Sequence, residues 1–318
     1  MEVVGHGTGT KIRILTKQSA RLHKLSQVAY SYGMKIQQVL SPTDMSPSTP
    51  AAVRATATSG RKTPQRPLIV AIAGRKGGAG KTTTTLNLAG ALSELGQRTL
   101  LVDLDPQASL TRLLLGEDGA EREGIGARLL APQRGLDGLV QPVWAGVDLI
   151  PGDRAVEVAA MTLADNPTGP LRLRRLLGAV QGYHAVLLDT PPALGFALNA
   201  ALLAAHVTLL PTALAQQDLD ALADTLALRD ELDELQAARV LAIVPNAVRR
   251  DSHDVEGVSL LRDAYGSLVA NPVPLAVAVK RAGNQRTPVV VLEPQGTAAQ
   301  AYRALAELIL QEQARRDS

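Results

Sequence analysis

The 318 residues contain no cysteine. Disulfides, thiolate metal sites, iron–sulfur clusters and cysteine nucleophiles are excluded, and a reducing cytoplasm is the expected setting. Aromatic residues are nearly as scarce, with one Phe, one Trp and five Tyr. Ala, Leu and Val must then fill most of the core. That scarcity argues against base stacking on aromatic platforms, the usual way of holding single-stranded nucleic acid. No apolar run approaches the ~20 residues of a membrane-spanning helix, and no signal-peptide core opens the chain, so a soluble protein is expected. Lysine is also rare beyond residue 66, where only Lys76, Lys81 and Lys280 occur. Two of those three stand in one glycine-rich stretch.

What charge there is divides unevenly. Residues 1–66 hold ten Lys/Arg against two Asp/Glu, a net +8, whereas 67–318 hold 23 against 28, a net −5. Within the first segment, Lys11 to Leu40 has the apolar spacing for one or two short basic helices. Residues 41–66 are rich in Ser, Thr, Pro and Ala, a linker composition with too little apolar surface to offset its ordering entropy. The segment reads as a flexible basic extension. A DNA-touching arm, or a true start at Met45, are the alternatives.

From Pro67 onward the chain alternates short apolar runs with helical patterns. Strands are expected at 68–73, 98–105, 147–152, 184–192, 206–212 and 239–246. Helices are expected at 82–96, 171–180, 216–235 and 297–316. The strands are apolar without alternation, which signals burial on both faces. The expectation is one α/β domain over 67–318, a mostly parallel twisted sheet with helices on both faces.

Residues 71–85 read AIAGRKGGAGKTTTT. The ordinary phosphate-loop pattern G-x-x-x-x-G-K-[ST] requires glycine where Arg75 stands. Yet the stretch lies between a strand and a helix, where backbone N–H groups of Gly77, Gly78, Ala79, Gly80 and Lys81 can line an anion nest. Lys81 would reach the β- and γ-phosphates of ATP, Thr83 would close the nest, and the Thr82 hydroxyl would ligate Mg²⁺. Strand-end carboxylates complete the pattern. Asp103 and Asp105 end one strand in LLVDLDPQAS, and Asp189 ends another in AVLLDTPP. Asp189 has the character of a Walker B carboxylate, holding the Mg²⁺ shell through water.

KGGAGKTT (76–83), DLDPQAS (103–109) and LLDTPP (187–192) together resemble the deviant Walker A, A′ and B motifs of the ParA/Soj/MinD family, most closely its ParA/Soj branch. The resemblance covers about 67–318 and implies a dimer-forming ATPase that segregates chromosomes or plasmids. It implies that Lys76 reaches across an ATP-sandwich homodimer to the other subunit's phosphates. It further implies that Asp105 positions the attacking water, that Asp103 supports the Mg²⁺ side, and that Asp189, Thr190 and Pro191 form a switch. Family members often carry asparagine and glutamine where Gly74 and Arg75 stand here. Asn246, in AIVPNAVRR, sits where the family commonly places an asparagine facing adenine; a turn-forming Asn after Pro245 is the alternative.

The resemblance also implies partners: non-specific double-stranded DNA, with nucleoid association, and a ParB-like protein that stimulates a slow hydrolysis. Arg249, Arg250, Lys280, Arg281 and Arg286 are the candidate phosphate contacts. The alternative is a MinD-like membrane switch, which needs a terminal amphipathic helix with bulky apolar anchors. The last helix offers Ala304, Leu305, Leu308 and Ile309 but no aromatic anchor, so packing on the sheet is expected instead.

Overall fold

A computed structural model describes residues 66–318 apart from 165 and 167. The expected helices and linker of the basic extension lie outside these residues. Seven strands form one sheet: β1 (Leu68–Ile72), β2 (Thr99–Asp103), β3 (Gln141–Trp144), β4 (Val147–Ile150), β5 (Ala185–Asp189), β6 (Val207–Thr212) and β7 (Arg239–Pro245). Their order is β3-β4-β2-β5-β1-β6-β7. Every pair is parallel except β3 with β4.

The unbroken apolar runs have a direct structural cause. In β1, Leu68, Val70 and Ile72 face one core while Ile69 and Ala71 face the other. In β5, Ala185 and Leu187 divide from Val186 and Leu188 in the same way. Both faces are covered, so neither parity of the strand can be polar.

One face carries α1 (Lys81–Glu94), α2 (Ser109–Leu115), α6 (Val277–Asn284) and α7 (Thr297–Asp317); the other carries α3 (Phe196–Ala204), α4 (Gln216–Glu231) and α5 (Ser252–Tyr265). The last helix buries Ala301, Tyr302, Leu305 and Ile309 in the core. Its apolar stripe is therefore spent on the sheet, as expected. No helix among the described residues is long and apolar enough to cross a membrane. Gly90 marks a tight crossing within this layer, since a Cβ there would lie 2.2 Å from Pro288. Asn87 fixes the same crossing by accepting from the Val289 N–H at 2.7 Å and donating to the Thr83 carbonyl at 2.8 Å.

Several elements differ from the sequence expectation. The helix expected over 216–235 ends at Glu231, and a short 3₁₀ turn, Asp233–Leu235, follows it. Strand β3 was not anticipated. It is a four-residue edge strand, half exposed and containing Pro142, so it lacks both a long apolar run and a full hydrogen-bond ladder. Helix α3 was not anticipated either, because all nine of its residues are buried and it shows no polar face.

Candidate active site

The loop between β1 and α1 runs against the carboxyl ends of β2, β5, β6 and β7. Its shape depends on two glycines with left-handed backbone, Gly78 at φ 80° and Gly80 at φ 88°. Gly80 is required twice over, because a Cβ there would sit 1.8 Å from the Asn246 side-chain nitrogen. That nitrogen donates to the Ala79 carbonyl at 2.9 Å, and the Asn246 oxygen accepts from the Ala247 N–H at 3.0 Å. Asn246 is thus a clamp on the phosphate loop. Its amide is partly committed to protein, which leaves less of it for a base edge than the sequence reading expected.

Lys81 opens α1, buried, and its Nζ donates to the Lys76 carbonyl at 2.9 Å. Burial lowers its pKa, opposed by the charges of Asp189 and Asp105. The Thr82 hydroxyl donates to Asp189 Oδ2 at 2.8 Å, and Thr85 Oγ1 lies 3.1 Å from Oδ1. Asp189 is fully buried, and its pKa is raised, first by burial and then by the neighbouring Asp103. The two carboxylates are register partners across β2 and β5. Thr190 donates to the Ile72 carbonyl at 2.9 Å, which ties the end of β5 to β1. Pro191 is buried beside it.

Asp103 and Asp105 separate clearly. Asp103 is buried, accepts from the Asp105 N–H at 3.0 Å, and takes both the N–H and the hydroxyl of Thr111 on its other oxygen, at 2.9 and 2.7 Å. Thr111 in turn accepts from the Gly152 N–H at 2.8 Å. Burial raises the Asp103 pKa to about 6. This geometry is that of a structural brace, and it leaves Asp103 poorly placed for the Mg²⁺ role the resemblance implied. Asp105 uses one oxygen to accept from the Gln107 N–H at 2.9 Å, and among the described residues its Oδ2 has no hydrogen-bond partner.

The loop cations are held by α4. Lys76 Nζ lies 2.9 Å from Asp218 Oδ2 in the first turn of that helix. Arg75 pairs with Asp224, and its backbone N–H donates to Thr225 Oγ1 at 3.3 Å. The residue that breaks the ordinary pattern therefore has a partner roughly two turns along the same helix. No sequence signal reveals Asp218, Asp224 or Thr111 as site residues, since they are ordinary polar positions on helices.

Beside Gly78, Gly80 and Thr83 opens a cavity of about 690 Å³, walled by Asn246, Leu275, Val279 and Arg112. A volume of that order suits a nucleotide-sized ligand. Lys280 and Arg286 line this cavity, while Arg281 is exposed on the same helix and does not. Arg249 and Arg250 are exposed just beyond β7. Hydrogen bonds from Val248 N–H to the Val273 carbonyl and from Leu275 N–H to the Val248 carbonyl join the two segments. Of the five basic candidates, Lys280 and Arg286 line the cavity, while Arg249, Arg250 and Arg281 are exposed outside its lining.

The donor set at Thr82 and Asp189 is all oxygen, a hydroxyl and a carboxylate. A hard divalent cation fits that chemistry.

Comparison with known proteins agrees with this geometry. The AAA domain family matches residues 68–239. The chain is 35% identical to the chromosome-partitioning ATPase Soj of Thermus thermophilus, over 76% of this chain and 94% of that protein. It is 32% identical to the chromosome partitioning protein ParA of Caulobacter vibrioides, over 76% and 93%. The fold matches a structure of Cyanothece McdA with ATP at a TM-score of 0.71 and 22% identity, covering 77% of this chain and 97% of that one. A family match over half the chain, with relatives above 30% identity aligned almost end to end, means that this chain belongs to the ParA/Soj family of partitioning ATPases.

Proposed function

We propose that the chain is a nucleotide-switched ATPase that partitions chromosomal or plasmid DNA. It binds ATP with Mg²⁺, pairs with a second copy across the nucleotides, holds DNA without sequence preference while paired, and releases it on hydrolysis. The observation that carries this reading is the loop, where a buried Lys81 and a Thr82–Asp189 hydrogen bond surround a glycine nest beside a nucleotide-sized cavity.

The residues divide the work. The nest from Gly77 to Thr83 takes the phosphates on backbone N–H groups, and Lys81 supplies charge at the β- and γ-positions. Thr82, with Asp189 through water, would hold Mg²⁺, whose charge offsets that of the phosphates. Asp105, with one carboxylate oxygen uncommitted, orients the water that attacks the γ-phosphorus, and ADP leaves. Lys76 exchanges Asp218 of its own chain for the partner copy's phosphates. In the single chain that lysine is occupied, so the catalytic set is completed only in the dimer. Arg249, Arg250 and Arg281, exposed on the segments after β7 and on α6, contribute DNA contacts. A ParB-like protein accelerates a slow basal turnover, and the protein works on the nucleoid in the cytoplasm.

The MinD-like reading finds no support in the terminal helix, whose apolar face is buried. DNA binding by the full chain, measured with ATP, ADP and no nucleotide, tests the proposal. Binding that requires ATP is expected. Binding indifferent to nucleotide, or ATP-dependent capture by lipid vesicles without DNA binding, overturns it. Lys81→Ala should lower nucleotide affinity at least ~100-fold, by analogy with other losses of a charged phosphate contact.

A further inference from the structure

The parallel strands also align their beginnings. Across the neighbouring strands β2, β5, β1, β6 and β7, the residues at the first position or within two residues before it include Arg98, His184, Arg66, His206 and Arg239. The end of the sheet remote from the nucleotide loop is therefore rimmed with basic side chains. Some are spent within the protein: Arg98 lies 3.1 Å from Asp148, and Arg239 pairs with Glu312. Around His206 the situation differs.

The Ile69 N–H donates to His206 Nδ1 at 2.9 Å, while the His206 backbone N–H donates to the Ile69 carbonyl at 2.9 Å. The first of these bonds sets the tautomer. With Nδ1 accepting, the ring proton of a neutral imidazole must sit on Nε2. The ring is neutral at ordinary pH because burial, Arg316 and Arg174 push its pKa down to about 4. Yet Nε2 lies 3.1 Å from a guanidinium nitrogen of Arg316. Two donors face each other, and neither can satisfy its partner. An acceptor oxygen between or beside them would satisfy both.

Further positive charge surrounds this point. Arg174 and Arg316 are both exposed; partial burial lowers the Arg316 pKa, the charges of Asp317 and Glu312 oppose that, and Arg66 adds to it. The neighbouring acids act on Arg316 but also have partners of their own. Glu312 is paired with Arg239, and Asp317 accepts from the Gln313 amide at 3.0 Å. The 65 residues that lead into Arg66 carry nine Lys/Arg against two Asp/Glu. Basic side chains spread along the starts of neighbouring strands match an extended polyanion better than a single small anion.

We propose that Arg174, Arg316 and the His206 Nε2–H form a phosphate-binding site for the backbone of duplex DNA, at the amino end of the sheet. The choice of DNA as occupant rests on the partitioning reading above; the donor arrangement does not. This surface is separate from the basic residues flanking the nucleotide cavity, so the protein carries DNA-facing charge at both ends of its sheet.

The test is fluorescence anisotropy of a labelled random-sequence duplex with full-length protein and ATP, over a salt series. Arg174→Gln/Arg316→Gln is compared with the wild type. Loss of two phosphate contacts should weaken binding roughly tenfold and flatten the slope of log affinity against log salt by about 1.8, at ~0.9 per phosphate. Basal ATP turnover should not change. Arg174→Gln alone changes only an exposed side chain and should flatten the slope by about half as much, which guards against a folding defect at His206. An unchanged slope in both variants, with wild-type DNA binding intact, overturns the site and leaves the partitioning reading standing. Failure of the wild type to bind DNA in any nucleotide state overturns that reading and, with it, DNA as the occupant. A double variant that loses only retention on phosphatidylglycerol vesicles, with DNA binding intact, also overturns the proposal.

Discussion

The two ends of the sheet are built from opposite materials. At the carboxyl end stand glycines, carboxylates and an asparagine, and the backbone supplies the donors. At the amino end stand arginines and histidines, and side chains supply the donors. A parallel sheet makes this division possible, because every strand begins at one end and finishes at the other. The carboxyl end is shaped to enclose a ligand, with Gly78 and Gly80 in left-handed backbone and a buried lysine. The amino end has exposed guanidinium groups and suits a surface contact. Chemistry needs the first kind of region; reversible attachment to a polyanion can use the second.

The largest effects should come from separating the two carboxylates at the end of β2, Asp103 within it and Asp105 just beyond. Asp105→Ala should leave the fold intact while lowering ATP turnover about 100-fold or more, and it should trap an ATP-bound dimer. An Asp105→Ala enzyme that hydrolyses ATP freely would refute the water-orienting role. Asp103→Ala should instead cost about 2–3 kcal/mol of stability, because it orphans the Thr111 and Asp105 N–H groups. Thermal unfolding would register that loss as a fall in Tm of roughly 6 °C. Equal stability in the two variants would erase the distinction drawn between them.

Next in size is the tie between loop and helix α4. Asp218→Asn should free Lys76 and tighten ATP-dependent dimerisation about fivefold, the lower end of typical coupling between two states. Sedimentation of the ATP-bound protein measures this directly. Weaker dimerisation would mean that Asp218 aids pairing rather than opposing it.

At the amino end the expected effect is smaller and depends on pH. His206 is held neutral in the fold with its pKa near 4, against about 6.5 when unfolded. The unfolded chain therefore binds the extra proton between those values, so stability rises with pH across that window and is lost as pH falls through it. His206→Gln, which can still accept from Ile69, should flatten this part of the Tm–pH profile. An unaltered profile would show that the imidazole is not held neutral.

The smallest effect belongs to Arg75→Gln. Its pair with Asp224 is about half exposed, and such pairs contribute ~1 kcal/mol or less. A Tm shift of only a few degrees is expected. A larger loss would mean that the pair governs the loop conformation itself.

Much of this molecule was legible in advance, for physical reasons that can be named. Strands β1, β2, β5, β6 and β7 announced themselves because burial on two faces forces unbroken apolar runs. The glycine loop was legible because its geometry is local, encoded in adjacent residues. Strand β3 and helix α3 were not, the first being too short and polar, the second too uniformly apolar to show a period. The roles of Asp103 and Asp105 could not be told apart from their spacing. What separates them is Thr111, reached through the turn into α2, and Gly152, which follows β4.

The sequence by itself determined the type of sheet, the place of the phosphate loop and the strand-end carboxylates, because each depends on neighbours along the chain. Only the tertiary structure decided which groups those residues meet. It put Asp218 against Lys76, 142 positions later in the chain, and Asp224 against Arg75, 149 later. It also brought Arg316 to His206 across 110 positions. Such pairings follow from strand order and helix packing, which are set by the collapse of the whole core and not by any local pattern.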